Sequence, residues 1–199
     1  MMLVEAAPVA DAALPVEEFK AHLRLGSGFG TENLQDAVLR GFLRAAMTAI
    51  EGRIGKALIA RTFRLSVSHW ARAEAHVLPV APVRSIDELI LVDAEAQESL
   101  VSSAVYRLDA DAAEPRIRST VGALPAVPEN GSAHVVFVAG YGLDWAEIPA
   151  DLAQAVLMLA AHYYEFRNET DRSVATVPFG VVSLIARYRV LRLTSGGAA

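Results

Sequence analysis

The sequence predicts an α+β fold, mainly α: a helical bundle with an inserted antiparallel β region, closed by a C-terminal helix and an extended tail. Three observations carry this expectation. Two long segments, about 31–54 and 149–167, repeat apolar side chains every three to four positions, the period of an α-helix. Between them, from about residue 58 to 139, apolar and polar residues alternate in short runs broken by proline and glycine, the period of strands. A chain of 199 residues that is 53% hydrophobic can bury a sizeable core, and it is expected to fold as a single domain over 1–193 with 194–199 as a flexible tail.

The elements follow in order. A first helix is expected at about 15–25, where Pro15 suits the opening turn, Glu17 and Glu18 come early, and Lys20 and His22 come late, as the helix dipole favours. Gly26-Ser27-Gly28-Phe29-Gly30 interrupts it, and Thr31 is a suitable N-cap for the second helix, which Gly55 ends. The apolar stripe of that helix reads Leu34, Val38, Phe42, Ala46 and Ile50, widened by Leu39, Leu43 and Met47. From Arg61 to Trp70 the period is two, with Phe63, Leu65 and Val67 on one side. Further strands are expected at Ile86–Val92 and His134–Ala139, and weaker ones at Val105–Leu108 and Arg116–Arg118. Gly140 and Gly142 turn the last strand toward the third helix, where backbone angles that only glycine adopts easily are expected. That helix, 149–167, is apolar on two sides. Leu152, Val156, Leu159, Tyr163 and Phe166 form one, while Leu157, Met158 and Ala161 form a second that either completes the core or meets another subunit. A last helix is expected at about 179–193.

Charge is unevenly spread. The chain has 18 basic and 23 acidic side chains, net −5, which argues against tight binding of nucleic acid. Beyond Asp171 no acidic residue remains, while Arg172, Arg187, Arg189 and Arg192 follow. Such a basic end either meets an acidic surface or consists of solvated arginines around Val190, Leu191 and Leu193. No apolar run approaches the ~20 residues of a membrane-spanning helix, and the N-terminal stretch lacks the basic start of a signal peptide.

Motifs for chemistry are missing from the sequence. With no cysteine there is neither thiolate catalysis nor a cysteine-based zinc site. The glycine loop at 26–30 lacks the lysine of a phosphate-binding loop and follows a helix where a dinucleotide site requires a strand. The five histidines show no metal-ligand spacing, and Asp109 and Asp111 read as solvated turn residues. We therefore expect no catalytic residue, metal or cofactor, leaving a small hydrolase built on His162 and Glu165 as the enzymatic alternative.

Several segments, in order, resemble a known family. Leu14-Pro15-Val16 with Lys20-Ala21-His22-Leu23-Arg24, then Glu51-Gly52-Arg53-Ile54-Gly55-Lys56, then Pro82-Val83-Arg84-Ser85-Ile86, then Tyr106-Arg107-Leu108 stand where the family has them. So do Val138-Ala139-Gly140-Tyr141-Gly142, Ile148-Pro149 and Ala161-His162-Tyr163-Tyr164-Glu165. Over about residues 13–190 the chain resembles the head-tail connector, or adaptor, proteins of long-tailed bacteriophages and gene transfer agents. The resemblance implies a structural virion protein, assembled in the bacterial cytoplasm, that forms a dodecameric ring in the neck. Such a ring binds the portal on one side and the stopper or a tail-completion protein on the other. DNA passes through its lumen without specific binding, and no membrane is involved. Another neck component is the alternative within this class. On this reading Arg187, Arg189, Val190, Leu191, Arg192 and Leu193 are expected to dock on the portal, and Leu157, Met158 and Ala161 to form a subunit interface.

Overall fold

The computed structural model describes residues 1–25, 32–167 and 177–189. The glycine loop with Thr31, and Val190, Leu191, Arg192, Leu193 and the rest of the expected tail, lie outside the described residues. Helix α1 spans Val16–His22 and α2 spans Glu32–Ile54. Helix α3 spans Ala150–Glu165, and α4, Phe179–Ile185, runs into a short 3-10 turn at Ala186–Tyr188. Gly55 stops α2 in the left-handed region, at φ +67°, which a glycine adopts without steric cost.

The strands make two antiparallel sheets. Strands β1 (Met2–Glu5), β2 (Arg61–Val67), β4 (Val83–Val92), β5 (Glu98–Leu100) and β8 (Ser132–Ala139) form the larger, in the order β1-β2-β8-β4-β5. Strands β3 (Ala75–Val77), β6 (Tyr106–Asp109) and β7 (Arg116–Ser119) form the smaller, in the order β3-β7-β6. β2 and β8 read as expected from their period of two: Phe63, Leu65 and Val67 are buried on one, Ala133, Val135, Phe137 and Ala139 on the other.

This corrects the expected fold class. The β region is not an insertion in a bundle that is mainly helical; it carries a core of its own. One buried cluster joins α1 to α4 through Phe19, Leu39, Leu43, Ile50, Leu152, Leu159 and Val181. A second joins both sheets through Phe63, Leu65, Leu89, Tyr106, Ile117, Val135 and Phe137, with the Phe63 and Phe137 rings stacked at 5.7 Å. Strands as short as β3 and β5 show no readable period, so their contribution surfaces only when β7 and β4 pair with them.

The helix faces also shift. The buried seam of α2 is Leu39, Leu43, Ala46, Met47, Ile50 and Ile54, while Val38 is half exposed and Phe42 only partly covered. Helix α4 ends earlier than expected, and the 3-10 turn after it hands the chain to extended backbone at Arg189.

Candidate assembly surfaces

The two cores meet along one seam. Just after α2, Ala57 N–H donates to Ala81 O at 2.9 Å and Ala60 N–H to Gly142 O at 2.7 Å. From the turn beyond β8, Gly140 N–H donates to Pro82 O at 2.9 Å and Tyr141 N–H to Leu58 O at 3.1 Å. A charged clamp lies over this seam. The Glu51 carboxylate accepts from Leu58 N–H at 2.7 Å and from both terminal nitrogens of Arg61, at 3.0 and 2.8 Å. Arg61 Nε lies 2.9 Å from the Glu5 carboxylate on β1, and its guanidinium sits 5.0 Å from the Phe63 ring centre. Burial opposes the guanidinium's charge, but Glu51 and Glu5 outweigh it and hold its pKa above the ordinary value.

Beside this clamp opens a pocket of about 300 Å³, lined by Gly52, Gly55, Lys56, Ala57, Arg61, Phe63 and Val80 among others. Lys56 is buried and donates to Ala112 O; burial lowers its pKa, only partly offset by Asp111. Sequence reasoning gave neither the clamp nor the pocket, because their members are spread from residue 5 to residue 80 and form no motif.

The expected turn glycines are held for different reasons. Gly140 has φ +141°, and a Cβ there would stand 2.4 Å from the Ala60 backbone. Gly142 has no such φ; its Cβ would meet the Glu147 side chain at 2.2 Å. That carboxylate accepts from Leu143 N–H at 2.6 Å and from Asp144 N–H at 3.2 Å.

At Met158 the second face of α3 meets α4. Ala161 is buried, Leu157 and Met158 are partly buried against the helical core, and a Cβ on Gly180 would come 2.9 Å from the Met158 methyl. Two of the expected docking residues are described. Arg187 is 70% exposed in its side chain, yet its guanidinium lies 2.7 Å from the Asp151 carboxylate and donates to the Tyr188 hydroxyl at 2.6 Å. Tyr188 in turn donates to Asp151 at 2.7 Å, tying the 3-10 turn to the first turn of α3. Arg189 follows, exposed on extended backbone.

The Tyr188 ring meets Tyr141 edge-on at 6.4 Å. Burial pushes the Tyr141 phenol up to about 12, with Tyr188 and Asp151 adding and Arg187 opposing. Because the unfolded chain releases this proton near pH 10.0 and the folded chain holds it, stability falls as pH rises from about 10 to about 12. In urea unfolding across that range, Tyr141→Phe is expected to flatten the loss. An unchanged slope would show that Tyr141 is not the group responsible.

Among the described residues no group of three or more His, Asp or Glu could hold a metal ion, and no helix is long and apolar enough to cross a membrane. Asp109 pairs with Arg118 at 3.1 Å and Asp111 accepts from Ala113 and Glu114 N–H, so both are occupied in local structure. The His162 ring packs 4.8 Å from Phe166.

The comparisons give the family. Residues 110–189 match the model of the phage gp6-like head-tail connector proteins. A chain in a structure described as the neck of an empty GTA particle computed with C6 symmetry is 47% identical, with a TM-score of 0.90 over 98% of this chain and 99% of that one. A chain in the neck of a native GTA particle computed with C12 symmetry is 45% identical, with a TM-score of 0.86 over the same shares. A third, in the virion of a native gene transfer agent particle, is 47% identical with a TM-score of 0.87, again over 98% and 99%. No curated protein matches. The chain belongs to the head-tail connector family.

Proposed function

We propose that this connector is one subunit of a twelve-fold ring in the neck of a phage-like particle, joining portal to stopper and tail and leaving a channel for DNA. The observation that carries this reading is the end-to-end likeness, 45% identical over 98% of the chain, to a neck chain computed with C12 symmetry. Residues 1–193 serve as one domain, and docking on the portal falls to the C-terminal arginines. The one-sided charge beyond Asp171 supports that assignment, as does the exposed, extended Arg189 at the edge of the described fold.

Arg187 has a second task, since it is paired with Asp151, so the test separates it from the others. Reversing Arg189 and Arg192 together to Glu is expected to weaken binding to the portal ring of the same gene cluster about tenfold or more at low salt. The melting temperature should stay put, and the difference should shrink as salt is raised. Co-sedimentation of the full chain beside one ending at Tyr188, which keeps the turn that holds Arg187 and removes Arg189 and Arg192, tests the segment as a whole. Equal binding by the two would discard the arginine segment while keeping the connector role. Binding by neither, unless a second neck protein is already in place, would favour a stopper.

A further inference from the structure

Phe179 is 86% exposed, more than any other large apolar side chain among the described residues. It is not on a loose end. It opens α4, whose Val181 and Ile185 are fully buried against the helical core, and Val182, one turn on, is also exposed. An anchored helix thus holds an aromatic ring out into water, where covering it is worth about 2–3 kcal/mol. Elsewhere among the described residues lies a pocket of about 300 Å³, between the last turn of α2 and β2. Its walls include Ala57, Phe63 and Val80, apolar surfaces that suit an aromatic ring, while Lys56, Arg61 and the Glu51 paired with it border the opening. A cavity of only about 150 Å³ is enough to take up benzene. At the rim, Gly52 sits inside α2 with nothing within 4 Å of the place its Cβ would occupy. Glycine there costs the helix about 1 kcal/mol relative to alanine, and nothing within the described chain requires it.

We propose that Phe179 of one copy seats in the Lys56–Arg61–Phe63 pocket of the next, as the repeated contact of the ring. The inference rests on the ring reading above. Copies related by a cyclic axis must join two different surfaces, one from each neighbour, and a knob and a hole at separate places on one chain meet that requirement. Buried aromatic anchors of this kind dominate the energetics of such contacts.

The natural chain has no cysteine, so in the pair Phe179→Cys and Gly52→Cys any disulfide within the ring involves only these two positions, and the single variants control for bonds between like positions. Particles or portal-bound rings carrying both substitutions, oxidised and run without reductant, are expected to give a ladder of covalent multimers, whereas each single variant gives none. Rings seen by electron microscopy without a ladder, or a fast-migrating looped monomer alone, would overturn the contact while leaving the ring intact. A wild-type chain that forms no ring on its portal would instead overturn the reading beneath it. As a second arm, Phe179→Ser and Gly52→Leu are each expected to lower ring assembly at least tenfold with no loss of melting temperature. The leucine fills the hole from its rim and is the better helix former. Normal assembly by both variants would refute the proposal.

Discussion

Replacing Gly140 by alanine is expected to destabilise the fold by about 3 kcal/mol or more. Two costs add. The backbone there has φ +141°, a region that side chains rarely adopt, and the new Cβ would lie 2.4 Å from both Cα and N of Ala60 and 2.6 Å from C of Ile59. These are backbone atoms, held by hydrogen bonds from Ala60 N–H to Gly142 O and from Tyr141 N–H to Leu58 O, so no rotamer change relieves the clash. Gly142→Ala meets instead the exposed, flexible side chain of Glu147, which can swing away at the loss of its bonds to Leu143 and Asp144 N–H. Its cost should be nearer 1 kcal/mol, that of a lost cap. Urea unfolding of the two variants side by side measures the difference, and equal effects would show that the clash with Ala60 is relieved.

Glu51→Ala should cost about 3 kcal/mol. The carboxylate and its partner Arg61 are only 14% and 11% exposed, so its removal strands a desolvated guanidinium and takes the acceptor from Leu58 N–H. Glu5 remains at 2.9 Å from Arg61 but is 38% exposed, which lets water compete for the charge. Glu5→Ala is therefore expected to cost less than about 1 kcal/mol. A double-mutant cycle across Glu51 and Arg61 would isolate their coupling, and a coupling near zero would mean that the guanidinium is rehydrated when its partner is lost. The same clamp lies beside the pocket proposed for Phe179, so Glu51 variants are unsuited to testing that contact.

How far the sequence could be read depended on the length of each signal. Helices α2 and α3 repeat their pattern over 23 and 16 residues, and the alternation of β2 and β8 survives 7 and 8, enough for the period to stand out. β1, β3 and β5 have three or four residues each, and they become strands only because other segments pair with them, Ser66 and Arg118 from far along the chain and Ile90 from the adjoining strand of a hairpin. This bears on the fold class: the helices announce themselves locally, while β1 and β3 depend on partners far along the chain. The face of α2 was misread by about one position for a related reason. Val38 and Leu39 are both apolar, and only the packing of the helical core decides that Leu39 is covered and Val38 is not.

The residues around the candidate surfaces divide in the same way. The basic C-terminal end, the glycines after β8 and the doubly apolar third helix are properties of consecutive residues, so the sequence by itself determined them, together with the ordered segments that carry the family resemblance. Which arginine is already tied to Asp151, which side of α3 is covered by α4, where Glu51 finds Arg61, and that Phe179 faces water while a pocket stands beside Gly52, only the tertiary structure decided. Periodicity and charge are sums over neighbours in the chain. Ion pairs, burial and pockets depend on distances between segments that the chain brings together only by folding.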